Sequence, residues 1–330
     1  MTKPSPRLLL CRPQAGLTDT LCQIGKCLRY ADKFGRKIVV EMDFPGAVHF
    51  RDDFSIYFTS HDSRLILSSK GFRPQFDKLQ AFPSSLSGRV NSYVGVWKKK
   101  FENIVDAADD QLLSFDFRKN YTQPLLVHHA AGGGMRNVKV ALRRLSVTKL
   151  IQDEVRLRTA LIGGPYTSLH IRYTDYVTDF QDRLLELKEK ISGPIFLATD
   201  NRKALEICQK LFGKERVFSF AKFPKVDGQP IHSDMKMNAK TSNIDAICDV
   251  IMLATAKTYY FFPLIATHRK WVNFSSFSEF AQMLHSDEQL LKHFLGVQKF
   301  SAVARVKFRF LKFCRQVKGS IWSLMPSHRG

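Results

Sequence analysis

Residues 8–41 read LLLCRPQAGLTDTLCQIGKCLRYADKFGRKIVVE. Leu8–Cys11 is a short apolar run, and residues 12–18 carry the Pro and Gly of a turn. From Asp19 to Phe34, Leu21, Ile24, Leu28 and Ala31 recur at helical spacing. Thr18 or Asp19 is the expected N-cap and Gly35 the expected C-cap. Residues 37–41, KIVVE, form a second apolar run of strand length. Strand, helix and strand in so short a span make a βαβ unit, and such a unit implies a parallel sheet.

Working outward, residues 44–125 show weak periodicity and are expected to form loops and short helices; Trp97–Phe101 (WKKKF) is a basic island within them. His128-His129-Ala-Ala-Gly132-Gly133-Gly134-Met-Arg136 follows, where three glycines permit close backbone approach. Residues 138–158 are expected to form one basic helix, with Arg143 and Arg144 on its exposed face. Gly163-Gly164-Pro165 marks a boundary. Beyond it the alternation is regular: strands over 167–173, 194–199, 216–220 and 258–262, and helices over 179–191, 202–212 and 243–256. This second α/β unit divides the chain into residues 1–162, residues 163–298 and a tail, 299–330. The two larger parts are expected to be Rossmann-like domains.

The chain of 330 residues carries a formal net charge of +21, which implies an anionic partner without naming it. Eight Lys and Arg and no Asp or Glu fall in 299–330. Phe300, Val303, Val306, Phe310, Phe313, Val317, Ile321 and Leu324 lie on one helical stripe there, with Arg305, Arg309, Lys312 and Arg315 away from it. Such a basic amphipathic helix suits an anionic membrane surface, or packs on the protein with its charges in solvent. An RNA- or DNA-binding reading rests on the charge alone, since no recognised nucleic-acid module is present.

No apolar run approaches the about 18 residues of a membrane span, and Leu8–Cys11 is too short for a signal-peptide core, so a cytoplasmic location is expected. Cys11, Cys22, Cys27, Cys208, Cys248 and Cys314 show no CxxC spacing and read as reduced core residues.

Neither a Walker A sequence nor GxGxxG is present, and no D-x-D pair is available to hold a metal on a diphosphate. His128 and His129 are adjacent, would point to opposite faces of a strand, and make a poor chelate. No metal site is expected. Diphosphate charge would then be met by Arg, Lys and backbone N–H groups. His170-Ile-Arg172-Tyr-Thr174-Asp175 ends a strand where open α/β sheets bind ligands, and its His and Arg, two apart, would share a face. An Arg172–Asp175 salt bridge explains the same pattern.

Taken in order, three regions resemble the fucosyltransferase superfamily, which includes nodulation-type α1,6-, core α1,6- and protein O-fucosyltransferases. Gly16-Leu-Thr-Asp19-Thr-Leu21 is similar to its opening Gly-x-Gly-Asn/Asp loop. His170-Ile-Arg172-Tyr-Thr-Asp175, with Phe196-Leu-Ala-Thr-Asp200 after it, is similar to its His-x-Arg-Arg-x-Asp signature. Ala246-Ile-Cys-Asp249-Val-Ile-Met-Leu253 is similar to its Asp-bearing helix before the last strand. The wording is nearest to the nodulation type and spans residues 7–268.

The resemblance implies a GT-B fold, two Rossmann-like domains facing a cleft, and metal-independent, inverting transfer of fucose from GDP-fucose to an oligosaccharide or glycolipid. It implies that Arg172 neutralises the β-phosphate, His170 helps fix the nucleotide, and Asp249 accepts from the guanine edge. Gly16 and Asp19 would approach the donor from the N-terminal side. Asp175 and Thr267 would also lie at the donor, and Asp179 is the acidic candidate for the base. The family's second Arg is Tyr173 here. Its Ser/Thr pair after the last strand is replaced by Phe262-Pro263-Leu264-Ile265-Ala266-Thr267, where only Thr267 offers a hydroxyl. A non-catalytic sugar-nucleotide or glycan binder is therefore the alternative. Asp200 would touch the ribose or cap the next helix, Asp19 could be a cap alone, and Arg136 would reach a ligand or solvent.

Overall fold

The computed structural model describes residues 7–174, 176–223, 238–266 and 274–296. They belong to one compact unit, Met1–Lys299. The expected amphipathic helix over 299–330 lies outside the described residues.

Strand β1 (Leu8–Pro13), helix α1 (Leu17–Phe34) and strand β2 (Lys37–Val40) form the βαβ unit read from the sequence, with Leu8 opposite Lys37 and Cys11 opposite Val40 in parallel register. Two details differ. β1 runs on through Arg12 and Pro13, where a turn was expected, and both pair with β8 (Leu125–Ala130). The N-cap of α1 is Gly16, not Thr18 or Asp19, because the helix starts one residue past Gly16 and leaves those side chains inside its first turn. Gly35 closes it in the left-handed conformation, φ +66, as expected.

Between β2 and β8 lie β3 (Phe58–Ser60), β4 (Leu65–Ile66), α2 (Arg73–Phe76), β5 (Ala81–Phe82), β6 (Gly95–Lys98) and β7 (Asn103–Asp106). The first sheet has the order β4-β2-β1-β8-β5 and is parallel throughout. β6 and β7 form a separate antiparallel hairpin.

The single helix expected over 138–158 is broken into α3 (Val138–Leu142), β9 (Leu145–Val147) and α4 (Lys149–Ile162). Residues of β9 are all buried, and they pair antiparallel with β3, Phe58 opposite Val147, an arrangement that a continuous helix would forbid. Arg143 is exposed as expected. Arg144 is instead tied to Asp32 at 2.7 Å and to Asp62.

The second half contains β10 (Thr167–Ile171), β11 (Val177–Thr178), α5 (Phe180–Leu187), β12 (Ile195–Thr199), α6 (Arg202–Phe212), β13 (Val217–Phe218), α7 (Ala239–Thr255), β14 (Thr258–Phe261), β15 (Leu264–Ala266), α8 (Ser276–Ser286) and α9 (Glu288–Leu295). Its sheet, β13-β12-β10-β14, is again parallel. α8 and α9 extend beyond that alternation and return to the first half. Phe294 of α9 lies 6.1 Å from Phe58 of β3, and Lys139 of α3 binds Asp287 at 2.8 Å. The largest apolar cluster accordingly mixes Leu21 and Ile24 of α1 with Ile247 and Ile251 of α7 and Phe280 of α8. Asn243 adds a polar tie, donating to the Arg51 carbonyl at 2.6 Å. Cys11, Cys22, Cys27, Cys208 and Cys248 are buried free thiols, as read from the sequence.

Two glycines set how closely elements approach. A Cβ on Gly25 would fall 2.1 Å from the Asn137 carbonyl oxygen, so α1 meets the chain entering α3 backbone to backbone. Gly133 has φ +119, and its Cβ would sit 2.7 Å from Cys22 Sγ. Replacing Gly25 by Ala forces the two elements apart. It should lower stability in urea unfolding by about 1–3 kcal/mol, the usual cost of overpacking. Gly16→Ala, at φ −66 with nothing within 4 Å of the added carbon, should cost under about 1 kcal/mol.

Candidate active site

Both parallel sheets present the C-terminal ends of their central strands to loops, the usual ligand edge of open α/β sheets. In the second sheet, pairing of β10 ends at Ile171. The alternation that would place His170 and Arg172 on one face therefore stops between them. His170 is buried, and its Nδ1 lies 2.5 Å from Ser278 Oγ of α8, beside the Phe277 ring. Burial, and then the Arg172 charge, push its pKa down to about 3, so the imidazole is neutral near pH 7.

Arg172 reaches the other way. Its Nε pairs with Asp200 Oδ2 at 3.1 Å, and its guanidinium carbon lies 5.8 Å from the centre of the Tyr176 ring. Asp200 also accepts from Tyr173 N at 2.8 Å and from Thr174 Oγ1 at 2.6 Å. One carboxylate at the end of β12 thus shapes the whole turn that follows β10. Asp200 does not cap the next helix. Asn201 does so, accepting from Ala204 N at 3.1 Å while its Nδ2 donates to the Tyr173 carbonyl. The Tyr173 ring, where the resembled signature has a second Arg, packs edge-on against Phe180 at 4.9 Å. Asp179 is exposed at the start of α5. Asp175 and Thr267 lie outside the described residues.

Asp245 and Asp249, one turn apart on α7, face Arg158 of α4. Arg158 is 5% exposed, donates from Nε to Glu154 at 2.8 Å, pairs with Asp245, and lies with its guanidinium carbon 5.2 Å from the centre of the Phe220 ring. Its Nη1 is 3.7 Å from Asp249 Oδ1, beyond hydrogen-bond range, and neither buried atom has a hydrogen-bond partner. Burial raises Asp249 to about 7 even though Arg158 opposes the shift. Asp249 therefore belongs to a charged network that leaves one carboxylate oxygen unused. Sequence reading missed Arg158, although a signal exists: it falls in the stripe Ile151, Val155, Arg158, Ile162 that α4 buries.

At the edge of the first sheet, Gly16 opens α1 with no side-chain cap and with free space where a Cβ would be. Asp19 accepts from Gly134 N at 2.7 Å and so ties the glycine loop to the first turn of α1. Gln23 holds the same loop through the Gly132 carbonyl and meets His128 Nε2 at 2.8 Å. His129 turns to the opposite side, to Tyr93 and Gln14, as adjacent strand residues must. Arg136 is exposed. Arg12, fully paired and missed from sequence, binds Glu41 at 2.6 Å between the Phe44 and Tyr93 rings. Among the described residues, no group of three or more His, Cys, Asp and Glu could hold a metal ion, and no helix is long and apolar enough to cross a membrane.

No family model matches the chain, and no curated protein sequence does. Solved structures do match. A NodZ α1,6-fucosyltransferase co-crystallised with GDP is 17% identical, with a TM-score of 0.56, over 85% of this chain and 93% of that one. Fucosyltransferase NodZ from Bradyrhizobium gives 17% identity and a TM-score of 0.56 over 85% and 94%. POFUT1 in complex with GDP-fucose gives 12% identity and a TM-score of 0.52 over 86% and 95%. The fold is thus a NodZ-like fucosyltransferase fold, an α/β architecture of GT-B type with parallel sheets.

The titrating groups predict opposing pH slopes. His129 and His170, lowered from 6.5 to about 3, bind protons in the unfolded chain first, so their contribution is lost as pH falls from 6.5 toward 3. Asp249, raised from 3.8 to about 7, contributes stability below pH 4 that is lost as pH rises to 7. Urea unfolding of Asp249→Asn from pH 4 to 8 should show the variant gaining on the parent as pH rises; parallel curves would contradict this.

Proposed function

We propose that the protein is a metal-independent, inverting glycosyltransferase that moves fucose from GDP-fucose to a glycan acceptor, with α1,6 linkage as the nearest precedent. The observation that carries the reading is Arg172, oriented by Asp200 at the ligand edge of the second sheet, in a chain with a fucosyltransferase fold. NodZ soaked with GDP-fucose and POFUT1 in complex with it support the donor.

In this reading residues 1–162 form the acceptor-side domain, residues 163–298 the nucleotide-sugar domain, and the donor lies in the cleft between them. The acceptor hydroxyl forms its bond to the anomeric carbon as the bond from that carbon to the β-phosphate oxygen breaks. The electron pair leaves with the phosphate, and Arg172 stabilises the charge that develops there. His170, neutral and held by Ser278, orients the nucleotide without adding charge. Asp249 receives the guanine N–H groups. Gly16, Asp19, Asp175 and Thr267 line the donor, and the uncapped N-terminus of α1 suits an anion. Asp179, exposed to solvent, takes the acceptor proton. No metal takes part.

A second reading, a non-catalytic binder of sugar nucleotides or glycans, is favoured by Tyr173, whose ring packs on Phe180 in place of a second cation. The acceptor is an oligosaccharide or glycolipid, the site of action is the cytoplasm, and the basic tail docks on an anionic membrane face.

Titration calorimetry in chelator should show GDP binding to the folded protein; none at millimolar GDP would remove the enzymatic reading and the sugar-nucleotide binder, leaving only a glycan binder. Mass spectrometry of GDP-fucose with chitooligosaccharide and lipid-linked acceptors separates the two. Arg172→Ala should slow transfer by about 10²–10³, the cost of one lost oxyanion donor, with the fold intact. For the tail, sedimentation with anionic liposomes should fall for a chain ending at Val297. Equal sedimentation of both chains would contradict membrane docking by the tail.

A further inference from the structure

The hairpin of β6 and β7 belongs to neither sheet. It is tied at both ends: at its base Gly95 lies against His129, where a Cβ would be 2.4 Å from the ring, and next to its turn Asn103, opposite Lys98, accepts through Oδ1 from Ala131 N at 3.3 Å. These contacts advance from His129 to Ala131 between base and turn, so the turn lies at the C-terminal end of β8, beside the glycine loop. The tip itself is tightly turned. Phe101 N donates to the Lys98 carbonyl at 3.1 Å, Glu102 N to the Lys99 carbonyl at 3.2 Å, and Glu102 has φ +45. Here Trp97 is 51% exposed and Phe101 41%, and along the same hairpin Val94 is 49% exposed and the neighbouring Leu112 41%.

These apolar side chains bury only about half of their area in the folded monomer. Trp and Phe rings beside lysines are the composition that settles at a bilayer interface, where rings sit at headgroup depth and ammonium groups reach the phosphates. The turn carries three lysines, Lys98, Lys99 and Lys100, against one exposed carboxylate, Glu102. Lys98 is paired with Asp110 at 3.1 Å at the foot of the turn, and Lys99 and Lys100 occupy its exposed end, Lys100 over the Phe101 ring at 5.4 Å.

We propose that the Trp97–Phe101 hairpin is a docking element for an anionic lipid surface, distinct from the C-terminal tail. It would hold the ligand edge of the first sheet against the bilayer. If the glycosyltransferase reading holds, the acceptor that reaches this edge is a lipid-linked glycan; the docking itself does not depend on that reading.

The test uses the full chain with phosphatidylcholine vesicles, with and without roughly a quarter of phosphatidylglycerol. Lys99→Glu/Lys100→Glu should weaken partitioning into the anionic vesicles about 25-fold or more, from about fivefold per lysine. Trp97→Ala should weaken it about tenfold. All three positions are exposed, and circular dichroism checks that the variants fold. In a chain carrying Trp271→Phe and Trp322→Phe, Trp97 emission should shift to the blue on anionic vesicles and be quenched by brominated lipid. Unchanged partitioning of both hairpin variants, or a Trp97 emission indifferent to vesicles, overturns the proposal. So does loss of binding only when the tail charges are reversed in the full chain. Trp97→Ala raising the KM for a soluble oligosaccharide while vesicle binding stays intact would make the hairpin a glycan contact and also overturn it. Partitioning that persists without GDP binding would leave the docking intact and remove the enzymatic reading alone.

Discussion

In each half, a cation at the end of the central parallel strand must be met by a carboxylate at the end of its neighbour. Arg12 on β1 is met by Glu41 just past β2, and Arg172 after β10 by Asp200 just past β12. These strands are buried on both faces, so their polar ends are where the chain can change direction and carry charge. Arg12 is 2% exposed and accounted for by Glu41, the Val90 carbonyl and two rings. Arg172 is 19% exposed in its side chain and has a pairing of looser distance. The same local solution gives a sealed strut in one sheet and an accessible cation in the other.

Asp200 links that cation to the fold. With acceptor bonds from Arg172, Tyr173 and Thr174, it shapes the turn in one place, and Asn201 completes the turn while starting α6. Preorganisation of this kind matters where charge develops, because the donor need not reorient. His170 adds a neutral hydrogen-bonding partner in a buried position and no positive charge. Arg158 is a third guanidinium under a different constraint. Its neighbours Asp245 and Asp249 come from another helix, and the pairing joins α4 to α7 while leaving Asp249 Oδ1 without a hydrogen bond.

Local periodicity made much of the fold legible. The βαβ unit over residues 8–41, the helix over 202–212 and the regular alternation after residue 165 all appear close to where spacing places them. Residues 138–158 carry a helical pattern in sequence, and the interaction that overrides it, β9 pairing with β3, joins residues about 87 apart. Residues 44–125 were unreadable for a related reason: their strands are two to four residues long, too short for a period to register. The basic island at 97–101 was visible as composition, but its projection on a tight hairpin was not.

Residue types and order alone determined that this is an α/β chain with two parallel sheets, and that Cys11, Cys22, Cys27, Cys208 and Cys248 are core thiols. They could do so because burial and period are written into neighbouring residues. Only the tertiary structure decided which carboxylate meets which cation: Asp200 rather than a cap for Arg172, Arg158 for Asp249, Glu41 for Arg12. Those partners come from different strands and helices, and a charge removed from water is satisfied by whatever group packing brings within reach, at any distance along the chain.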